Sequence, residues 1–434
     1  MAAQFKNISK FTIYSNYSGE LSLMGSRAFS NIMIFQSMFD DTVRGSFVMN
    51  DTGYRDSKRE EVNIDEIDGF NLTSGEKVEL KLEDTKGNIL DFKDANEFLI
   101  EDVKSSGSTT MYETFNITLC QDDFVRKEFN KHKVIKHWDG SYKISEIVND
   151  VLKNILQTKK NVFIDPTVNK LPINGHYDDA CDFCTLLASK AVSEQFPDFS
   201  GYFFFDTYEG YKFKSIDVMF SQEPKRIMLY NETQGAPNGK YTNKILESHF
   251  NHNLNVIDNI RSGSISKTIL KTWDPYTHAY TETEYDANEL YKTNNNAEVE
   301  RPKVGTHLNI AEESSNTLNH VWNTGTKPTG TGTEEQIKNS KEPTFDIENI
   351  VRKSIMRTKQ AMLYKGTITI AGDFGIFPGD VIQCDFPEIS SKDLKKVVSK
   401  KKSGKYLVLD VAHLISGEHC YTKLNIIRDS IKAA

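Results

Sequence analysis

The chain has 434 residues, with 38% hydrophobic and 11% aromatic residues and a formal net charge of −8. That length suits roughly two to four domains, and the acidic balance argues against a general nucleic-acid binder while suiting a surface that lets DNA pass without sticking. No run approaches the roughly 20 apolar residues of a spanning helix, so no membrane insertion is expected.

The opening Met1-Ala-Ala-Gln-Phe-Lys-Asn7 lacks the apolar stretch of a secretory signal. Residues 5–120 then read as a β domain. Val78, Leu80 and Leu82 alternate with Glu79, Lys81 and Glu83, and Phe115, Ile117 and Leu119 alternate with Asn116 and Thr118. Period two with one apolar face is the mark of a half-buried strand. Residues 121–248 change to an α+β pattern. Ile144, Ile147, Val148, Val151, Leu152 and Ile155 fall on one helical stripe. A second helix is expected over Asp178–Val192, capped by Asp178 or Asp179. Gly201-Tyr-Phe-Phe-Phe205 and Tyr211-Lys-Phe213 read as a hairpin turning near Glu209-Gly210. Residues 249–285 return to strand-like patterning through Val256, Ile260, Ile265 and Ile269. Residues 286–344 are polar and loop-like, and Ile347–Leu363 reads as a basic amphipathic helix; together 286–362 form an expected insertion. The region 363–430 is β again, with a turn at Pro378-Gly379-Asp380 and a solvated lysine-rich tip over Lys392–Lys402.

A degenerate duplication runs through these segments. Phe98-Leu-Ile-Glu-Asp-Val103 reappears as Tyr406-Leu-Val-Leu-Asp-Val411, and Phe115-Asn-Ile117 as Leu424-Asn-Ile426. Asp41-Thr-Val-Arg-Gly-Ser46 is matched with Asp258-Asn-Ile-Arg-Ser-Gly-Ser264. The offsets are 308 for Asp102 and Asp410, 309 for Asn116 and Asn425, 304 for Gly75 and Gly379, and 217 for Val43 and Ile260. The deficit between 304 and 217 implies an insertion of 87 residues between 265 and 379. The expected architecture is therefore mainly β with an α+β middle domain: one barrel over 5–120, and a second over 249–285 plus 363–430, split by the insertion. Two copies of one module per chain let a trimer present six.

At Gly366-Thr-Ile-Thr-Ile-Ala-Gly-Asp373, Phe377-Pro-Gly-Asp-Val-Ile382, Gly404-Lys-Tyr-Leu-Val-Leu-Asp-Val-Ala-His413 and Tyr421-Thr-Lys-Leu-Asn-Ile-Ile-Arg-Asp-Ser430, the chain resembles the central baseplate hub protein of T-even-type contractile-tailed phages. The middle unit fits too, through Pro172-Ile173, the helix around Ala180–Ala191 and Gly201–Asp206. The resemblance implies a homotrimer of two tube-type barrels per chain, forming a pseudo-hexameric ring. Its implied partners are the hexameric tail tube, a trimeric spike and the surrounding baseplate proteins, with phage DNA passing through the lumen. The implied location is the virion tail, with assembly in the host cytoplasm. Because the chain stops at Ala434, the spike is expected to be a separate chain. Related readings are a tube-end adaptor and the hub of a phage-tail-like secretion system.

No catalytic, cofactor or metal site is expected. Cys181-Asp-Phe-Cys184 has redox spacing but lies inside an expected amphipathic helix, without a second pair to complete a zinc site. Cys120, Cys384 and Cys420 complete an odd set of five, read as free thiols in a reducing compartment. His249 and His252 have no carboxylate at motif spacing. His132 and His137 read as solvated, and His413 and His419 as hairpin residues. Asp40-Asp41, Asp178-Asp179 and Glu312-Glu313 show no setting that would separate a pair's pKa values. A tail-associated hydrolase would have to draw on Asp178, Asp179 or His176. Arg44 and Arg261, matched by the duplication, are candidate ion-pair residues within or between barrels.

Overall fold

The computed structural model describes residues 7–431 apart from 18, 25–28, 52–71, 109–112, 197–200, 231–239, 252–255, 274–277, 279, 294–295, 299–313, 322–331, 335–355, 388–398, 400–401 and 418. The fold is mainly β, with an α+β part in the middle of the chain.

The first module comprises β1 (Asn7–Ser15), β2 (Gly19–Ser22), β3 (Phe29–Ser37), β4 (Arg44–Asp51), β5 (Lys77–Glu83), β6 (Ile89–Phe92), β7 (Phe98–Ser108) and β8 (Glu113–Gln121). Its main sheet runs β1-β5-β7-β8-β4-β3, every neighbour antiparallel. The alternation along β5 puts Val78, Leu80 and Leu82 inside. They join a core where Phe11 meets Phe29 and Phe47 edge-on, each at 5.0 Å.

The middle part holds α1 (Asp122–Arg126), β9 (His137–Lys143), α2 (Ile144–Asp150), β10 (Val162–Ile164), β11 (Lys170–Asn174), α3 (Ala180–Ala188), β12 (Tyr202–Thr207), β13 (Gly210–Ser215) and α4 (Ile216–Phe220). The α2 stripe is fully buried and continues into a π-helical turn over Val151–Ile155. The β12–β13 hairpin turns at Gly210, whose φ of +133° and approach to the Asn161 carbonyl leave no room for a Cβ.

The second module begins earlier than 249. β14 (Arg226–Tyr230) and β15 (Asn243–Asn251) enter it; α5 (Val256–Ser262), β16 (Lys267–Trp273), β17 (Tyr280–Asp286), α6 (Ala287–Thr293), β18 (Ser314–Val321) and α7 (Met356–Ala361) lie outside; β19 (Tyr364–Ala371), β20 (Val381–Asp385), β21 (Gly404–Ser416) and β22 (His419–Arg428) complete it. The order β21-β20-β14-β15-β19-β22 returns to β21, closing a barrel of six strands. The expected strand-like stretch at 256–262 is instead helical, because Val256 and Ile260 stand one helical turn apart and Ile260 packs on Ile265, Leu363 and Tyr364. β16, β17 and β18 form their own sheet and contribute nothing to the barrel's closure. Part of the segment expected to be loop, 286–344, is regular as α6 and β18. Of the expected basic helix, Met356–Ala361 is helical and 347–355 lie outside the described residues, as does most of the Lys392–Lys402 cluster.

Three buried polar nodes hold the parts together. Asp373 accepts hydrogen bonds from Arg226 (3.0 Å), Lys86 (2.8 Å) and Asn243 (2.9 Å), joining a first-module hairpin to the second barrel. Burial pushes the Asp373 carboxyl up, but these donors override it and hold it well below the usual carboxylate range. Lys160 is buried between Gln121 and Asp206. Arg357 of α7 is buried between Asp217 of α4 and Asp429.

Candidate assembly sheet

The two modules are joined by a ladder. β3 pairs antiparallel with β21 from Ser37 opposite Asp410 to Ile32 opposite Ile415. The result is one continuous antiparallel sheet of eight strands, β7-β8-β4-β3-β21-β22-β19-β15.

Strand pairing identifies the equivalent residues of the two copies. β7 pairs with β8 as β21 pairs with β22, and both ladders carry a bulge at the same place: Glu101 between Ile100 and Asp102, and Leu409 between Val408 and Asp410. The offset there is 308, as the sequence match gives. Gly75 and Gly379, at offset 304, both take a left-handed φ, +84° and +86°. Each donates its N–H to the equivalent strand residue, Ile100 at 2.7 Å and Val408 at 2.9 Å. The following carboxylates cap equivalent amides: Glu76 accepts from Thr73 N–H at 3.2 Å, and Asp380 from Phe377 N–H at 2.9 Å.

Two of the sequence matches need correction. On β8 and β22, Thr118 is the partner of Asp102 as Asn425 is of Asp410, an offset of 307. Asn116 was therefore matched two residues out, on the same face. Asp41–Ser46 leads into β4, whereas Asp258–Ser264 falls largely on helix α5. Arg44 and Arg261 are not equivalent. The true counterpart of Arg44-Gly45-Ser46 is Lys365-Gly366-Thr367, because Gly45 faces Leu119 and Gly366 faces Ile426. Both glycines sit against bulky side chains, Leu119 at 3.1 Å and Phe250 at 2.5 Å from a notional Cβ. The offset rises from 216 for β3 and β15 to 321 for β4 and β19, so 105 residues are inserted rather than 87.

One face of this sheet is apolar and buried by both modules, through Phe47, Ile117, Leu119, Ile368, Ile370, Leu424 and Ile426. The opposite face is polar: Ser46, Asn50, Thr114, Asn116 and Thr118 in one copy, Thr367, Thr369 and Asn425 in the other. A hydrogen-bonded chain crosses four strands and the module junction. Thr367 donates to Asn425 (2.8 Å), Asn425 to Asp410 (2.8 Å), and Ser37 of β3 to the other Asp410 oxygen (2.6 Å). On this face Arg44 binds Asp40 (3.0 Å) and Glu101 (3.3 Å), and Lys104 binds Asp102 (2.7 Å).

The remaining residues singled out in the sequence do not converge. Cys181 and Cys184 are buried on α3. Burial pushes both thiols well above their usual range, the reverse of a reactive pair. Asp179 caps α3 through the Cys181 N–H (2.8 Å), and Asp178 accepts from the His176 N–H (2.8 Å). Asp41, Asp179 and Cys181 approach one another, but the Lys127 ammonium occupies that corner, bound to Asp41 and 3.7 Å from Asp179. His132 is buried with Nδ1 2.7 Å from the Ile155 carbonyl, where solvation was expected. His137 is exposed beside Asn174, His249 is exposed on β15 opposite Thr367, and His419 is exposed in the hairpin. His252 and Glu312-Glu313 lie outside the described residues.

His413 is fully buried on β21, its Nδ1 3.0 Å from Thr422 Oγ1 and its ring edge-on to Phe374 at 4.9 Å. Burial pushes the imidazole down to about 4, against the opposing pull of Asp373 and Asp84. In the unfolded chain it protonates near 6.5. Between these values the unfolded state binds a proton that the folded state refuses, so this stability falls as pH drops from about 6.5 to about 4. Over that window the wild type is expected to lose roughly 3 kcal/mol more than His413→Gln, read from urea unfolding at each pH.

No protein-family model and no curated protein matches the sequence. Among solved structures, a tail protein from Neisseria meningitidis aligns over 97% of this chain and 96% of its own, with a TM-score of 0.52 at 10% identity. The 43 kDa tail protein of prophage MuSo2 from Shewanella oneidensis aligns over 97% and 98%, with a TM-score of 0.51 at 9% identity. The chain therefore shares the fold of these two tail proteins over nearly its whole length.

Proposed function

We propose that the chain is a structural component of a phage-type tail baseplate, acting without catalysis. In this reading it is a homotrimeric hub whose six modules form a pseudo-hexameric ring. The ring joins a hexameric tail tube to a trimeric spike, among the surrounding baseplate proteins of the virion, after assembly in the host cytoplasm. The observation that carries the reading is the repeated module itself: the same bulge, turn glycine and capping carboxylate occur twice in one chain, on one continuous sheet. A trimer of such chains has six near-equivalent sectors, which is what a three-to-six symmetry match requires.

The polar face suits a channel wall. Thr367, Asn425 and Asp410 are hydrogen-bonded across strands, and Arg44 and Lys104 are paired with acids, which weakens their pull on a passing polyanion. Native mass spectrometry over a concentration series, with negative-stain imaging, tests the reading. A particle of three chains with a six-fold inner outline is expected. A monomer at every concentration sinks it, and a ring of six chains would make the protein a tube component instead.

A further inference from the structure

We infer that Lys160 and Asp206 are the two halves of an intramolecular amide: the lysine Nζ condenses with the Asp206 carboxyl and expels one water. The bond is a self-modification of the middle part, independent of whatever assembly the chain enters. The Lys160 Nζ touches Asp206 Oδ2, with 2% and 0% of the two side chains exposed. Both residues are held by more than each other. The Asp206 N–H donates to the Asp40 carbonyl at 3.1 Å. The Lys160 N–H donates to Thr158 Oγ1 at 3.1 Å, and its carbonyl accepts from Lys153 Nζ at 2.8 Å. Gln121 Oε1 fixes the lysine tip at 2.5 Å. Two groups kept in contact react as if at an effective concentration of about 10⁵–10⁸ M, an advantage that amide formation in dilute solution lacks.

The site supports the ion pair poorly, which favours the neutral product. Asp206 Oδ1 is buried and has no hydrogen-bond partner among the described residues. A buried carboxylate with an unmet acceptor is costly, and an amide removes both charges. Burial, with the charges of Asp123 and Asp41, pushes the Asp206 carboxyl up to about 6 against the pull of Lys160. The buried Tyr211 ring, its centre 4.9 Å from Nζ, forms an apolar wall beside the pair. Other polar nodes lack this combination. Lys86 is one-third exposed, and despite burial its partner Asp373 is held anionic by Arg226 and Lys86. Arg357 carries a guanidinium, which stays charged and does not acylate.

The step balances without a co-reactant. Nζ passes one proton to Asp206, leaving an amine beside a carboxylic acid. The amine lone pair attacks Cγ. One carboxyl oxygen then leaves as water, carrying the proton received from Nζ and a second that Nζ gives up. One positive and one negative charge are replaced by a neutral amide, and nothing is oxidised. The freshly folded chain holds the ion pair, and the amide accumulates as the protein ages. It closes a covalent loop across the 46 positions between Lys160 and Asp206, fastening the segment before β10 to the β12–β13 hairpin.

The test follows the intact mass of the full-length protein over several days in buffer at pH 6, where the Asp206 carboxyl is about half protonated. The wild type is expected to become lighter by one water in most molecules. Tryptic mapping should then join the peptide containing Lys160 to the one containing Asp206, with no cleavage after Lys160. Lys160→Arg keeps the cation and should hold its full mass. The wild-type measurement stands alone should that variant fail to fold. A wild-type mass that stays unchanged overturns the proposal and leaves the pair ionic. Water loss that also occurs in Lys160→Arg, or that maps within a single peptide, overturns it too, because a cyclised aspartate sheds the same water.

Discussion

Replacing Arg357 by methionine is expected to cost about 4 kcal/mol of folding stability. Arg357 is completely buried. Its guanidinium lies 3.0 and 2.9 Å from Asp217 Oδ1 and 2.6 Å from Asp429 Oδ2, over the face of Phe220. Burial opposes the charge, yet the two carboxylates hold the guanidinium more firmly protonated than usual. The three residues come from α4, α7 and the segment after β22, so one side chain ties the middle part and the insertion to the last strand of the barrel. Asp429 also receives the Ala297 N–H at 2.9 Å. Methionine preserves bulk but leaves two carboxylates buried together, and it is this uncompensated charge that sets the size of the effect. Adding Asp217→Asn and Asp429→Asn to Arg357→Met should recover more than half of the loss. Urea midpoints of the single and triple variants check this; a triple variant no more stable than the single one would place the energy in packing instead.

Lys160→Met should cost about 3 kcal/mol at neutral pH, and its penalty should shrink on acidification. Lys160 is buried beside Asp206, donates to Gln121 at 2.5 Å and lies 4.9 Å from the Tyr211 ring centre. It connects the end of β8 to the β12–β13 hairpin. Burial pushes the Asp206 carboxyl up to about 6, with Lys160 pulling it part of the way back. A carboxyl whose folded pKa is raised holds a proton that the unfolded chain releases near 3.9, so stability falls as pH rises between those values. Without Lys160 the folded value climbs further, and the window of falling stability extends to higher pH. The gap between variant and wild type should therefore be smaller at pH 5 than at pH 8. A gap independent of pH would show that removing Lys160 leaves the titration of Asp206 unchanged over that range.

The fold was legible where local pattern and tertiary role agree. Period-two runs such as Val78-Leu80-Leu82 and the stripe from Ile144 to Leu152 have their expected partners inside. The repeat was legible where it reflects a strand with a bulge, as at Phe98–Val103 and Tyr406–Val411. It misled where short polar strings such as Asp258-Asn-Ile-Arg261 resemble a strand in composition while Val256 and Ile260 keep helical spacing. The genuine pair, Arg44-Gly-Ser and Lys365-Gly-Thr, rests on one glycine and two conservative neighbours, too little to register without the pairing of β4 and β19 against their neighbours. The assembly sheet itself had no local signature. Its central ladder joins residues such as Ser37 and Asp410, 373 positions apart in sequence, and a non-local pairing leaves no periodic trace.

That ladder also sets a timetable for synthesis. β21 covers the outer edge of β3, and Ser37 and Asp410 in that ladder are 373 positions apart, so β3 is synthesised well before its partner. Until β21 arrives, the nascent first module presents an open, partly apolar strand edge, the kind of surface that mispairs with other chains. Truncation before residue 404 should consequently give a product that aggregates, even though every strand of the first module is intact. β21 thus covers an edge that was made long before it.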